Sequence, residues 1–293
     1  MPRPSDEPAL MDTPAPLDAP VTASDPASTP VPAVLAEPHW GIVIAAGLAA
    51  GMIAGLLGVG GGILLVPVLA LVLRRPQHVA HATSLVAVTM AALAGSARFA
   101  VDGAVAWPGA AVLAVGAILG AWLGAALLPR MSESGLRRAF GGVVLLLALR
   151  FLVFGGSGGE GATDGLFRPD LDPGLVLLHL GGGLAAGVLS SVLGVGGGII
   201  MVPLMALAFG YGQQVAEGTS LAVIVPTAAT GALSHARSGY TDWRLGLRLG
   251  AAALLGSFSG ATLALGLTAT ALARVYGGVQ VIVAALMLRS RRS

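Results

Sequence analysis

Ten apolar blocks follow one another along this chain, at 40–57, 63–74, 78–101, 107–128, 136–154, 174–193, 199–209, 215–237, 244–266 and 269–288. Most are close to the roughly 20 residues that a helix needs to cross a bilayer. Blocks 63–74 and 199–209 are too short to span comfortably alone. Only 10% of the 293 residues are charged, 55% are hydrophobic, and the mean hydropathy is +0.86. A soluble domain carries about 25% charged residues, so this chain has too few charges to keep its surface wet. Its natural solvent is the bilayer, and a soluble single-domain enzyme is excluded.

The remaining composition narrows the chemistry. There is no Cys, which removes disulfides, thiol nucleophiles and cysteine metal sites. A net charge of +2 gives no nucleic-acid footprint. Residues 1–38 are a different material, holding ten of the 18 prolines, six acidic residues and one Arg. Such a stretch buries too little apolar surface to fold and reads as a disordered Pro-rich acidic tail. It lacks the basic region and apolar core of a signal peptide. Without it, the body carries 15 Arg against 8 acidic residues, or +7.

The body is two copies of one thing. GLLGVGGGILLVPV from Gly55 recurs as SVLGVGGGIIMVPL from Ser191, with nine of 14 positions identical at an offset of 136. The same offset aligns Thr83-Ser84 with Thr219-Ser220, Gly103 with Gly239, and Trp107 with Trp243. A register held ungapped over about 100 residues marks an internal duplication. The organisation read from it is a tail at 1–38, a first membrane repeat at 39–154, a Gly-rich acidic linker at 155–173 and a second membrane repeat at 174–293.

Arginine placement separates two topologies. If each LGVGGG lies within one kinked span, each half has four spans and both halves point the same way. If LGVGGG is the turn of a hairpin, each half has five segments and the halves are inverted. The hairpin arrangement gathers twelve of the 16 Arg on one side and leaves Arg98, Arg150, Arg168 and Arg274 opposite; the four-span arrangement sorts them 10 to 6. The positive-inside rule favours the hairpins, with both termini cytoplasmic and the short blocks re-entering rather than crossing. The expected fold is therefore an all-α integral membrane protein of two duplicated, inverted helical halves. Each half has a Gly-broken first helix, and the total is eight spanning helices plus two short re-entrant or broken segments.

The chemistry concentrates where the glycines do. Four glycines in five residues cannot be stable helix interior, and unwound backbone inside a membrane is tolerated only in protein or along a cavity. A helix resumes after Gly62 and after Gly198, so its free N–H groups and positive dipole end face the gap. Glycine also lets a ligand approach the backbone. Gly58, Gly60, Gly61 and Gly62, with Gly194, Gly196, Gly197 and Gly198, thus form two candidate anion cradles without a charged side chain. A tight kink or close helix crossing is the structural alternative. A phosphate P-loop fails for want of Lys-Ser/Thr and a partner motif, and a dinucleotide fingerprint fails because the flanks are not strands. Thr83, Ser84, Thr219 and Ser220 lie early in the following helices as second-rank candidates; bonding back to the i−4 carbonyl is their ordinary use. Pro67 and Pro203 kink the short helices.

Arg98, Asp102, His179, Glu217, His235 and Arg237 lie near membrane depth, where a buried ionisable group is functional by default; Arg98, Asp102 and Arg237 also fit snorkelling at helix ends. His78 and His81 lack the Cys or carboxylate partners of a metal site. Gly47, Gly51 and Gly55, with Gly116, Gly120 and Gly124 and then Gly256 and Gly260, form stripes that let helix backbones meet. No Ser–His–Asp group, carboxylate pair, metal cluster or cofactor motif emerges, so no enzyme is read here.

The doubled LGVGGG-hydrophobic-Pro element followed by Thr-Ser resembles the TauE/SafE family of sulfite exporters and related permeases. The matching elements are Gly58–Pro67 with Thr83-Ser84 and Gly194–Pro203 with Thr219-Ser220, within a resemblance running from about residue 40 to 290. It implies a multi-pass transporter of the bacterial inner (cell) membrane that exports sulfite or a related small sulfur-containing anion or organosulfonate. With no nucleotide-binding domain, movement would be secondary, by alternating access of the halves with possible proton coupling. A passive anion channel and a non-transporting membrane scaffold are the other readings of the same residues.

Overall fold

The computed structural model describes residues 40–127, 133–155, 173–193 and 198–289; the tail, most of the 155–173 linker and Gly194–Gly197 lie outside the described residues. The described chain forms α1 (Trp40–Leu57), α2 (Gly62–Pro67), α3 (Gln77–Val101), α4 (Trp107–Leu127) and α5 (Glu133–Phe154). The second half repeats the order as α6 (Pro173–Leu193), α7 (Gly198–Pro203), α8 (Gln213–Arg237), α9 (Trp243–Gly266) and α10 (Ala269–Arg289). No strand occurs among the described residues. Helices α1, α3 and α9 and the Trp107–Gly124 stretch of α4 are long and apolar enough to cross a membrane. Shorter apolar helical stretches lie at Gly62–Val72, Gly141–Phe154, Pro173–Leu189, Gly198–Ala208 and Ala269–Ala285. The protein is an all-α membrane protein.

Both short helices end at proline and continue as wider π-helical turns, Val68–Val72 after Pro67 and Leu204–Ala208 after Pro203. Proline lacks an N–H and crowds the carbonyl four residues back, and in the turn that follows it the backbone bonds five residues on. The Leu73 N–H donates to the Val68 carbonyl at 3.0 Å, and the equivalent Phe209 N–H donates to that of Leu204 at 3.3 Å. Gly103 and Gly239 close α3 and α8 with φ of +70° and +74°. That left-handed turn is one that glycine adopts without strain, which accounts for their recurrence at the repeat offset.

The glycine stripes are where helices meet, and their order gives chain direction. Gly47, Gly51 and Gly55 of α1 face the backbone of Leu249, Ala253 and Ser257 of α9, ascending together, so these helices run parallel. Gly116 and Gly120 of α4 face Leu180 and Leu184 of α6 in the same sense. Gly246 and Gly250 of α9 face Val86 and Met90 of α3, again parallel. In contrast, Gly95 of α3 faces Leu221 of α8 while Gly231 faces Leu85, so α3 and α8 run antiparallel. Gly155 meets Thr270 while Gly277 meets Ala148, so α5 and α10 are antiparallel too. Halves pointing the same way require parallel α3/α8 and α5/α10 and antiparallel α3/α9. Inverted halves require the observed set.

The repeats also interlock. The first helix of each packs along the fourth helix of the other, α1 on α9 and α6 on α4, while the third helices, α3 and α8, pack against each other. A stripe without side chains lets main chains touch, and in lipid such van der Waals packing is what joins helices.

Candidate functional site

The first glycine element is the turn of a hairpin. The chain leaves α1 at Leu57, and by Gly61 it has come back beside Ala50, whose carbonyl lies 2.7 Å from where a Gly61 Cβ would stand. The reversal needs Gly58, Gly60 and Gly61 at φ of +67°, +78° and +75°, values that cost other L-residues about 1–2 kcal/mol each. The tip then packs into the other half: a Cβ on Gly58 would stand 2.7 Å from Glu217 Cα, and Gly60 faces Ile224 of α8 and Val88 of α3. Gly198 lies against the Gly58 carbonyl and Val59 Cα, at 2.6 and 2.5 Å from its own Cβ position. The two elements therefore meet, with Gly198 at the start of α7 on the tip of the first hairpin. Gly194, Gly196 and Gly197 lie outside the described residues.

The hairpin tip holds a row of backbone donors. Gly58 donates its N–H to the Ala54 carbonyl at 2.9 Å, and the Gly61 carbonyl accepts from Leu64 and Leu65 at 3.1 Å. Between them, the N–H groups of Val59, Gly60, Gly61, Gly62 and Ile63 find no acceptor among the described residues. Val59, Gly60 and Gly61 are buried, and Gly62 and Ile63 are half-buried. Buried backbone N–H groups are nearly always paired. A run of consecutive N–H groups through left-handed residues at a helix start is the geometry that receives an anion.

The duplicated hydroxyls divide between this hairpin, their own helix and the starts of the fourth helices. Ser220 Oγ donates to the Gly58 carbonyl at 2.8 Å, pinning the first hairpin to α8. Ser84 Oγ donates to the His81 carbonyl at 2.8 Å, the ordinary back-bond of a membrane helix. Thr83 Oγ1 accepts the Asp242 N–H at 3.1 Å, and Thr219 Oγ1 accepts the Ala106 N–H at 3.0 Å. Asp242 and Ala106 are themselves 136 apart, so the duplicated threonines secure the entrance to the fourth helix of the opposite repeat. Asp242 also caps α9 through Leu245 N–H at 3.0 Å and pairs with Arg75 at 3.5 Å. All four hydroxyl side chains are buried. Each threonine oxygen is used as an acceptor, which leaves its hydrogen to donate.

Beside the tip lies a polar cluster that the duplication did not reveal. Gln213 Nε2 donates to Glu217 Oε1 at 2.9 Å. Tyr276 Oη donates toward the Gly198 and Ile199 carbonyls at 3.2 and 3.1 Å, and Gln280 Nε2 donates to Ile199 at 3.0 Å. Sequence reasoning singled out Glu217 alone. The missed signal is spacing: Gln213 with Glu217, and Tyr276 with Gln280, are each four apart on one helix face. Of the other ionisable groups, Arg98 pairs with Asp102 at 3.0 Å and donates to Thr262 at 3.1 Å. His179 bonds to Tyr211 at 2.9 Å and to the Leu175 carbonyl at 2.8 Å, and His81 meets His235 edge-on. No group of three or more metal-ligating side chains occurs among the described residues.

Comparison with known proteins points to a membrane transporter. The family model described as sulfite exporter TauE/SafE matches residues 21–165 and 179–293. A probable membrane transporter protein of Bacillus subtilis (strain 168), YunE, is 28% identical over 238 residues, covering 76% of this chain and 87% of its own. A probable membrane transporter protein of Xylella fastidiosa strain Temecula1 is 28% identical over 246 residues, covering 83% and 92%. YdhB of B. subtilis, another probable membrane transporter protein, is 35% identical over 102 residues, covering 35% and 42%. No solved structure matches the chain significantly.

Proposed function

The chain belongs to the sulfite exporter TauE/SafE family and is a multi-pass membrane transporter, and from there we propose that it is a secondary carrier of sulfite or a related small sulfur-containing anion, exported across the bacterial inner membrane. The observation that carries this reading is the row of five backbone N–H groups from Val59 to Ile63, on buried or half-buried residues and without acceptors among the described residues. A sulfur oxyanion offers several strong acceptor oxygens and needs no bond directed to a side chain. Backbone dipoles hold such an anion without a fixed countercharge. Gly58, Gly60, Gly61 and Gly62 form one cradle, and Gly194, Gly196, Gly197 and Gly198 the other. Thr83, Ser84, Thr219 and Ser220 join them, with the threonine hydrogens as the side-chain donors. The repeats 39–154 and 174–293 exchange conformations about the α3/α8 contact, as inverted repeats do in other secondary transporters.

Labelled sulfite in proteoliposomes tests the proposal. The wild type gives saturable flux. Gly62 has room for a first carbon, with Val88 the nearest neighbour at 3.6 Å, and its backbone lies outside the left-handed region. Gly62→Leu therefore covers the donors without distorting the turn. Removing a charge-assisted bond of about 1.5–3 kcal/mol lowers flux at limiting sulfite by tenfold or more. No sulfite flux in the wild type, or equal flux in a folded Gly62→Leu protein, contradicts the proposal. Flux without saturation at channel rates favours the channel reading.

A further inference from the structure

We propose that Glu217 is a proton-binding site that couples anion movement to proton movement; this rests on the transporter reading and adds the coupling group to it. Glu217 is fully buried, Oε1 is held by Gln213 at 2.9 Å, and Oε2 has no partner among the described residues. An ionised carboxylate in that position is uncompensated, and burial of an unpaired charge is strongly disfavoured.

The elements packed around α8 supply no countercharge among the described residues. Helices α1, α4 and α7 carry no ionisable side chain. On α3, Arg98 is committed to Asp102 and Thr262, while His78 and His81 face Tyr240 and His235 near the far end of α8. On α10, Arg274 is exposed, and the hydroxyl of buried Tyr276 is spent on the Gly198 and Ile199 carbonyls. Tyr211, two residues before α8 begins at Gln213, bonds to His179. Glu217 is therefore neutral in this conformation, with its proton on the free Oε2.

Position makes that proton useful. The Glu217 Cα, carbonyl and Cβ lie 2.7, 2.8 and 3.0 Å from where a Gly58 Cβ would stand, so the acid sits directly behind the hairpin that carries the anion donors. An anion on those donors repels a carboxylate and favours the neutral acid. By linkage, the protonated acid favours the anion equally. Anion and proton are taken up together and released together when the tip lifts from α8 and opens Glu217 to water. The cluster is duplicated only in part: Gln213 is matched by Gln77, but the positions equivalent to Glu217, Tyr276 and Gln280 are His81, Phe140 and Val144. The buried acid is thus confined to the second repeat, with a histidine in its place in the first.

Infrared spectroscopy of the purified full chain in lipid reads this directly. At neutral pH the wild type shows the C=O stretch of a protonated carboxylic acid. Glu217→Gln lacks it, and Glu217→Asp keeps one. A spectrum without the band, or the same band in Glu217→Gln, overturns the assignment whatever the substrate is. In proteoliposomes, an imposed pH gradient drives wild-type sulfite accumulation above equilibrium, and Glu217→Gln abolishes that drive. A gradient-driven accumulation that survives in Glu217→Gln overturns the coupling. Absence of any sulfite flux in the wild type overturns the sulfur-anion reading instead, while the infrared band still decides Glu217.

Discussion

Replacing Gly58 by alanine separates backbone strain from the contact between the repeats. Gly58, Gly103 and Gly239 share a left-handed conformation, with φ of +67°, +70° and +74°. A methyl group at Gly103 or Gly239 meets nothing within 4 Å. Alanine there pays only the conformational cost, about 1–2 kcal/mol. At Gly58 the same methyl falls 2.7 Å from Glu217 Cα and 2.8 Å from its carbonyl oxygen. Both are main-chain atoms that cannot swing aside, so an overpacking cost of about 1–3 kcal/mol adds to the strain. The expected total is about 2–5 kcal/mol for Gly58→Ala against about 1–2 for the other two. Unfolding by SDS titration in mixed micelles, following Trp fluorescence, measures the difference. If Gly58→Ala is no more destabilising than Gly239→Ala, the hairpin tip does not press on α8, and the contact between the repeats is wrong.

Other outcomes follow from particular contacts. Ser220→Ala leaves the buried Gly58 carbonyl without its donor and lowers stability by about 1–3 kcal/mol in the same titration, with reduced sulfite flux. Gly51→Leu drives a side chain into the α9 backbone at Ala253 and abolishes the monodisperse peak in size-exclusion chromatography, whereas Gly41→Ala, open on all sides, leaves it intact. Single cysteines placed at Gly158 and Ser290 of this Cys-free chain react from opposite faces of the membrane; reaction from the same face contradicts the inverted repeats. Sulfite at 100 times its Kd stabilises the purified protein by about 2.7 kcal/mol in a thermal-shift assay, and equimolar chloride does not.

The helices were legible because apolar blocks in a membrane have one structure open to them, and the ten blocks reappear with ends displaced by three residues or fewer. Inversion was legible for a separate reason: arginine sorting reports the side of each loop, and helix directions such as α3 against α8 agree with it. What a stripe of glycines does not encode is its partner. Gly47, Gly51 and Gly55 announce a close crossing, but that it lies on α9 of the other repeat depends on the whole assembly. The π-turns after Pro67 and Pro203 were equally hidden, because a proline marks a disturbed helix without fixing the form of the next turn. At the site, the duplicated hydroxyls stood out, yet Thr83 and Thr219 bond to main-chain N–H groups across the repeat boundary, which spacing along one helix cannot show. Tyr276 and Gln280 escaped because comparing the repeats highlights what they share, and their equivalents are Phe140 and Val144; Gln213 is matched by Gln77, and its pairing with Glu217 shows only in the folded helix.

The central claim is that backbone N–H groups of the first glycine hairpin hold the anion, and amide hydrogen exchange reads those groups themselves. With the protein in lipid nanodiscs, exchange followed by mass spectrometry on peptides spanning Gly58–Leu64 compares sulfite with chloride at equal ionic strength. Slower exchange of the Val59–Ile63 amides in sulfite, lost in Gly62→Leu, is the predicted result. Unchanged exchange at these amides, under conditions where sulfite is transported, contradicts it.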